Sequence, residues 1–291
     1  MRIRGTTMTT NHRGRMVRHD PAMAIAPLFR PLRKGGAPRS KLDIRQEFSG
    51  AVIRYRGPDA LGIGDQTVLL AILCLAQDKG RPLSPNTQGH YTRQALHGLF
   101  PSGAGSTTTV YVDTTRYEVL KTAGLGDDGH SYAQVVESID RLAAVTVFVV
   151  DRNGNSPPEQ KLLSRIIKEG DEYKIALNER LARAFTGQFV AIDLDERKIL
   201  RKDTAKALHA WLSGTLRKGC ALKISFDKLT FHIYGKTSHN GTLRKWRQRV
   251  KEALEKLSGL PSWSVSIENG MACIARAKAK IPGREPPRPL P

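Results

Sequence analysis

A sixteen-residue segment near the end of the chain carries side chains that could bind a polyanion. The segment TLRKWRQRVKEALEKL, residues 242–257, has six basic side chains, and five of them precede the first acid, Glu252. A solvated helix would favour the reverse order, because acids stabilise a helix N-terminus and bases its C-terminus by ~0.3–1 kcal/mol each. The crowding of cations at the positive, N-terminal end of the helix dipole therefore indicates that a binding partner supplies negative groups. DNA phosphates and guanine edges would supply them.

The apolar residues of this segment recur at helical spacing and predict where the cations point. The stripe consists of Leu243, Trp246, Val250, Ala253, Leu254 and Leu257. A stripe of this kind packs on the body of the protein, so the polar residues between its members face outward. The candidate DNA-binding residues are Thr242, Arg244, Lys245, Arg247, Gln248, Arg249 and Lys251.

Arginine and glutamine are the side chains that read base edges in the major groove, arginine on guanine and glutamine on adenine. A helix with these residues in its first turns is typical of a recognition helix. The alternative is a plain solvated face, and the sequence does not decide which side chains meet bases and which meet phosphates.

The composition extends the positive charge to the whole chain. The 291 residues carry a formal net charge of +20, with a pI of about 10.2. This excess favours a polyanionic partner, nucleic acid before an anionic membrane surface. No run approaches the ~18 apolar residues of a membrane span, and no apolar segment of a secretory signal follows the basic N-terminus. Cys74, Cys220 and Cys273 are few and far apart, which fits a reducing cytoplasm without disulfides or zinc.

Helices and strand-like runs recur in the same order in both halves of the chain. In each half, shorter helices precede a longer helix, and two apolar runs separated by Asn-Gly follow it, at 153–154 and at 269–270. Asn-Gly between strands predicts a tight hairpin turn. Three helices followed by a hairpin are typical of a winged helix-turn-helix. We therefore predict an α+β protein with two such domains in tandem, residues 41–171 and 172–280.

Two tails of different composition flank these domains. Residues 1–40 hold nine Arg or Lys against one acid, Asp20, which predicts a basic, largely disordered arm. Within it, DPAMAIAPLFRPL is apolar enough to dock on the body or on a partner. Residues 281–291 form a Pro-rich tail that cannot become a helix or an inner strand.

The sequence evidence for DNA binding is weaker in the predicted first domain than in the second. Its third helix carries Glu137, Asp140 and Arg141, so a subunit contact and a plain core helix are equally good interpretations. The hairpin after this helix adds Arg152, Lys161 and Arg165 as candidates for minor-groove or backbone contacts.

Residues with the spacing of a catalytic or metal site are lacking in the sequence. There is no GxxxxGK[ST] loop and no HExxH, and the eight histidines are dispersed. The acid pairs Asp127-Asp128 and Asp193 with Asp195 are better explained as helix caps than as metal ligands. We therefore predict a protein that is not an enzyme and holds no cofactor and no metal.

Several segments resemble the RepC replication initiators of IncQ-type plasmids, over residues 17–275. They are VRHDPAMAIAPLFRPLRKG, RSKLDI, ALGIGDQTVLLAIL, IDRLAAVTV, IALNERLARAF and TLRKWRQRVKEAL. The resemblance implies a non-enzymatic bacterial cytoplasmic protein with twin winged helices. It would bind tandem direct repeats (iterons) of origin DNA, help to open an AT-rich segment and recruit the plasmid's replicative helicase. It further implies a homodimer through the first domain, and it places Arg244, Lys245, Arg247, Gln248 and Arg249 on the family's basic helix.

Two alternatives share the basic surface. A winged-helix transcriptional repressor would have the same fold but would bind a single palindrome rather than regular repeats. A DNA-processing enzyme such as a primase would need a catalytic cluster of acids or histidines, which the sequence does not offer.

Overall fold

The structure, a computed structural model, describes residues 15–32, 38–102, 109–168, 171–236 and 240–278 and shows a mixed α/β fold. The helices are α1 (Pro21–Ile25), α2 (Ile63–Lys79), α3 (His90–Leu99), α4 (Arg116–Ala123), α5 (Gly129–Ala144), α6 (Glu179–Arg183), α7 (Leu194–Ile199), α8 (Asp203–Thr215), α9 (Phe226–Tyr234) and α10 (Asn240–Ser258). The strands are β1 (Met16–His19), β2 (Phe29–Arg30), β3 (Leu42–Phe48), β4 (Ala51–Gly57), β5 (Leu61–Gly62), β6 (Arg81–Leu83), β7 (Thr109–Thr115), β8 (Thr146–Val150), β9 (Gln160–Lys161), β10 (Leu163–Ile167), β11 (Glu172–Leu177), β12 (Val190–Asp193), β13 (Ala221–Ser225), β14 (Trp263–Glu268) and β15 (Met271–Arg276).

The last third of the chain is a unit of three helices closed by a small sheet. Helix α10 packs on α8 and α9, and the antiparallel sheet has the order β13-β15-β14. Ser225 caps α9, and Gly235 ends it in the left-handed conformation. Asn269 and Gly270 join β14 to β15 with φ of 49° and 74°, as a tight hairpin turn requires. The hairpin predicted in this half is therefore confirmed.

The hairpin predicted around Asn153-Gly154 is only partly formed. Its turn is present, because Gly154 has a φ of 82° and the backbone N of Asp151 donates to the Asn155 oxygen at 2.9 Å, but the returning strand is short. Strand β8 pairs with β4 and with the two residues of β9, whereas β10 pairs with β11 in another sheet. The reason is the pair Pro157-Pro158, which lacks backbone donors and cannot continue a returning strand. The Asp151 carboxylate instead organises the connection, because its Oδ1 accepts from the backbone N of Asn153 at 2.8 Å.

The predicted boundary near residue 171 falls inside a sheet of the first half. Strand β11 pairs with both β7 and β10, in a sheet of order β10-β11-β7-β6. The backbone N of Asn178, just after β11, donates to the oxygen of Leu162 at 3.0 Å. The first half therefore extends through β11, beyond the boundary predicted from the repeated order of helices and strands.

Residues 15–32 belong to the fold and do not form a disordered arm. Strand β1 pairs antiparallel with β12, β2 pairs parallel with β5, and α1 packs on α8. Val17 and Leu28 are fully buried, and Met23 is nearly so. The burial of these apolar side chains outweighs the positive charge of the segment. The predictions for residues 1–14, 33–37 and 281–291 lie outside the described residues.

Buried polar side chains of α7 join the two halves. Arg197 is 2% exposed, and its guanidinium donates to Gln66 Oε1 of α2 and to the Lys206 oxygen of α8, both at 2.8 Å. Beside it, Glu196 Oε2 accepts from His209 Nε2 at 3.0 Å and from Trp263 Nε1 at 2.9 Å. Because such bonds are directional and shielded from water, they fix α2, α8 and β14 relative to α7.

The Glu196 carboxylate stays charged inside this junction. Burial alone would raise its pKa, but hydrogen bonds from His209, Ser262 and Trp263 outweigh burial and hold the pKa at about 2. The His209 imidazole, in contrast, is uncharged, because burial lowers its pKa despite the neighbouring Glu196 carboxylate. A neutral His209 that keeps its proton on Nε2 satisfies both observations.

His19, at the end of β1, is the least compensated polar residue of this region. Its side chain is fully buried, and neither ring nitrogen has a hydrogen-bond partner among the described residues. Burial, reinforced by the positive charge of Arg197, lowers the pKa of His19 to about 4. The folded protein therefore holds this imidazole in its neutral form.

Acidification should destabilise the fold through His19. A histidine in the unfolded chain titrates near ~6.5, so the unfolded state binds more protons between that pH and about 4, and the free energy of unfolding falls as the pH drops through this window. We expect His19→Leu to reduce the loss between pH 7 and pH 5 by roughly 2 kcal/mol, measured by urea unfolding. His97→Leu, which changes an exposed histidine, should keep the wild-type loss; an equal loss in all three proteins would contradict the assignment.

Candidate nucleic-acid interface

Helix α10 is anchored by the apolar stripe that the sequence predicts. Trp246 and Leu243 are only partly buried; the Trp246 ring stacks on Tyr234 with centroids 4.3 Å apart and 7° between the planes. The remaining residues of the apolar stripe are at most 3% exposed and pack in the main core: Val250, Ala253, Leu254 and Leu257. The stripe is thus confirmed, with the tryptophan at the rim of the core rather than within it.

The candidate side chains of α10 all lie on the surface. The helix begins at Asn240, two positions before Thr242, and its first turn holds no acid to offset the helix dipole. The exposed candidates are Thr242, Arg244, Lys245, Arg247, Gln248, Arg249 and Lys251. The structure therefore brings them together on one helix, facing away from the core. Their contact with DNA remains a prediction.

Two of these side chains are already engaged by acids. Arg247 forms a bidentate pair with Asp227 of α9, at 2.6 Å for Nε to Oδ1 and 2.8 Å for Nη2 to Oδ2. This hydrogen bonding raises the pKa of Arg247 and lowers the pKa of Asp227. Gln248 donates to Glu252, which also accepts from Lys202 at 2.8 Å. Both sets are exposed to solvent, so a phosphate could compete for these donors.

Four of the candidate cations of α10 have no such neighbour. Among these candidates, the cations that make no ion pair or side-chain hydrogen bond with a described residue are Arg244, Lys245, Arg249 and Lys251. Uncompensated positive charges on one exposed face create the local potential that attracts a phosphate backbone.

The cationic part of α10 forms one wall of a cleft of about 1160 Å³. The opposite wall comprises Pro31, Leu32 and residues 201–205 at the start of α8. Arg201 and Lys202 thus join the interface, although the sequence analysis did not single them out. Their position opposite α10 depends on the packing of α8 against it, which no local pattern reveals.

A second cleft, of about 680 Å³, adjoins the first and leads to α5. Leu32 and Asp203 line both clefts. In the second, Arg39 and Arg141 both pair with the buried carboxylate of Asp65, at 2.7 Å and 3.0 Å. Asp65 also accepts from the backbone N of Gly62, the residue that caps α2, while it occupies the third position of that helix.

The three candidates of the first half do not form a wing. Arg152 donates to the Ser49 oxygen, Lys161 donates to Thr146 at 3.0 Å, and Arg165 pairs with Asp140. Lys161 and Arg165 lie on different sheets, because β9 joins β8 whereas β10 joins β11. The prediction that a hairpin presents them together is therefore corrected.

Two of the four acids considered as metal ligands, Asp128 and Asp193, serve as helix caps. Asp128 accepts from the backbone N of Ser131 at the start of α5, and Asp193 accepts from two backbone N atoms of α7. Across the described ranges, no group of three or more His, Cys, Asp or Glu side chains is arranged to hold a metal ion. None of the helices in these ranges is long and apolar enough to cross a membrane.

Comparisons with known proteins point to replication proteins. The family model described as Replication protein C (RepC) matches residues 11–278. Two solved structures of domains 2 and 3 of RctB share the fold at 13% identity, with TM-scores of 0.55 and 0.52. Each covers 89% of this chain, and the matches span 99% and 97% of the RctB chains. No curated protein sequence matches.

The pair between Asp227 and Arg247 yields a test of the interface. If Arg247 meets DNA, Asp227→Asn should free the guanidinium and remove a repelling charge, so duplex affinity should rise several-fold. Arg247→Ala should weaken binding by ~1–3 kcal/mol if this arginine reads a base. Both are measured by fluorescence anisotropy with a labelled duplex. A loss with Asp227→Asn as large as with Arg247→Ala would show that the acid positions the arginine instead.

Proposed function

Because the chain belongs to the Replication protein C (RepC) family, we propose that it is a plasmid replication initiator that binds duplex DNA through α10. The observation that carries the proposal is the exposed row of cations on a helix whose other face is locked in the core. Membership of the family supports the role in replication, and the geometry of α10 supports the manner of binding.

We further propose that the unit from α8 to β15 is a winged helix-turn-helix. Its element order is α8, β13, α9, α10, β14 and β15, with β15 central in the sheet. In such a unit the third helix enters the major groove and the hairpin flanks it. We propose that α2, α4 and α5 of the first half form a second unit of this kind. In that unit the sheet of β3, β4, β8 and β9 takes the place of a simple two-stranded wing.

The dimensions of α10 suit this role. An α-helix with its side chains is ~10–12 Å wide, and the major groove is ~12 Å wide. With its apolar stripe fixed in the core, α10 would present Arg244, Gln248 and Arg249 to base edges. The cleft wall opposite, with Arg201 and Lys202, would meet phosphates of the flanking backbone.

The finer steps of the proposal rest on the resemblance to IncQ-type initiators. We propose that the target is a set of direct repeats (iterons) at the plasmid origin in the bacterial cytoplasm. Binding would help to open an adjacent AT-rich segment and to recruit the plasmid helicase, while the first half would support a homodimer. The chain would act by binding alone, without catalysis of its own, a cofactor or a metal.

Protection of the plasmid's own origin from DNase would test the initiator role. We expect protected segments at regular spacing along tandem repeats, because each bound copy would occupy one repeat. Arg249→Ala should weaken this protection, whereas Arg93→Ala, which removes an exposed charge of α3, should leave it unchanged. A single protected palindrome would instead favour the repressor.

The salt dependence of binding should report the phosphate contacts. If α10 and the opposite cleft wall neutralise ~6–10 phosphates, the logarithm of affinity should fall against the logarithm of salt with a slope of about −5 to −9. Replacing Lys202 with Ala should reduce the slope by about 1 if that lysine meets a phosphate. The affinity is measured by fluorescence anisotropy between about 50 and 200 mM salt, a range over which a protein with this many phosphate contacts loses much of its affinity. A slope near zero would reject this surface as the duplex site.

A further inference from the structure

The sheet of β3, β4, β8 and β9 has one face in the core and one face in solvent. Ile53 and Tyr55 of β4 and Val147 of β8 are at most 3% exposed and pack inward. The alternate residues face outward, and pairing places them in rows across the strands. We call the outward residues that line a depression on this side the arginine face; it consists of Arg45, Val52, Arg54, Arg56, Phe148 and Val150. Two acids of β3 lie on the same side, Asp43 opposite Arg56 and Glu47 opposite Val52.

The arginine face combines apolar and cationic groups around a shallow depression. One row pairs Arg45 with Arg54 and Arg54 with Phe148. The next row pairs Glu47 with Val52 and Val52 with Val150. Val52 and Val150 are 38% and 40% exposed, which is high for valine on a sheet. The depression has a volume of about 410 Å³, within the ~300–1,000 Å³ typical of small-ligand pockets.

The charges of the face are only partly compensated. Arg54 forms a bidentate pair with Asp43, at 2.7 Å and 2.5 Å. Arg45 and Arg56 make no ion pair with any described residue, and the Arg56 guanidinium lies 6.0 Å from the centre of the Phe148 ring. Lys161 continues the row of Arg56 and Thr146 to the edge of the sheet. Cations therefore flank the aromatic ring, and the two valines lie between these cations and Glu47.

We propose that the arginine face binds single-stranded nucleic acid, with a base against Phe148 and the valines and with phosphates on Arg45 and Arg56. Aromatic side chains set among cations on an open surface bind single strands, because every base has a face that can stack. The interleaving of both kinds of side chain within one depression is the observation that carries the assignment.

The geometry of the face disfavours other occupants. The major groove admits a helix or a two-stranded ribbon, so the outer face of a four-stranded sheet cannot enter a duplex groove. A second copy placed face to face would bring the arginines of both copies together. Asp43 is already paired with Arg54, which leaves Glu47 as the free acid of β3 on this side, so like-charge repulsion outweighs attraction in such a contact. A single strand offers both the anionic backbone and the unpaired bases that the face can contact.

This site is separate from α10, so it can be tested independently of the duplex site. The full chain is titrated against a labelled 20-nucleotide oligo(dT), and binding to a duplex is measured in parallel. Phe148→Leu keeps an apolar side chain but removes the ring, and a double variant, Arg45→Ala with Arg56→Ala, removes the unpaired charges. Arg93→Ala is the matched control for charge, and urea unfolding verifies that each variant folds.

We expect Phe148→Leu to weaken oligo(dT) binding by about 5- to 150-fold, the range for the loss of one stacked base. The double variant should bind more weakly still at low salt, and Arg93→Ala should bind as the wild type does. Arg249→Ala should lose duplex affinity while keeping oligo(dT) affinity. A parallel series with oligo(U) distinguishes a DNA strand from an RNA strand as the preferred ligand.

The proposal fails if folded Phe148→Leu and the double variant both bind oligo(dT) as tightly as the wild type. It also fails if these variants change the oligomeric state in sedimentation while oligo(dT) affinity stays constant, since the face would then be a contact between copies. Displacement of oligo(dT) by a Glu-rich peptide at equal charge concentration would likewise overturn it in favour of an acidic protein partner.

Discussion

The burial of one side of α10 is the constraint on which the account depends. Val250, Leu254 and Leu257 are fully enclosed by α8, α9 and β14, so the helix cannot rotate about its axis without exposing them. Each such exposure would cost roughly 1.5–3 kcal/mol. The cations between the stripe residues are therefore held outward by the packing of their neighbours, and the direction of the charged face follows from the core.

The positive charge of the chain is concentrated where few acids oppose it. On α10 and its surroundings, Asp227 and Glu252 engage Arg247, Gln248 and Lys202, in exposed pairs that solvent screens. The charges deeper in the protein are treated differently, because Glu196 and Arg197 are enclosed and hydrogen-bonded. Buried charges thus join the two halves of the fold, while exposed charges remain free to exchange a carboxylate for a phosphate.

The sequence predicted features that depend on residues close together in the chain. It did not predict which distant strands and helices pair with one another. The stripe of α10 and the turn at Asn269-Gly270 depend on neighbours within a few residues, so the sequence shows them. The pairing of β1 with β12 joins residues far apart in the chain. The local sequence pattern of residues 15–32 therefore does not indicate that this segment is folded. The hairpin predicted at Asn153-Gly154 has its turn but a returning strand of only two residues, because the turn signal was weighed without Pro157-Pro158. Arg201 and Lys202 enter the interface through the packing of α8 on α10, which sequence spacing does not contain.

The most direct test of the central claim is photocrosslinking from α10. A photoreactive group is placed at position 248, and in a matched protein at position 93 of α3, and each is irradiated with duplex DNA from the plasmid origin. The account predicts that position 248 crosslinks to bases within the bound repeat, that excess unlabelled repeat abolishes the crosslink, and that position 93 gives none. Crosslinks from position 93, or none from position 248 in a complex that still binds the repeat, would contradict it.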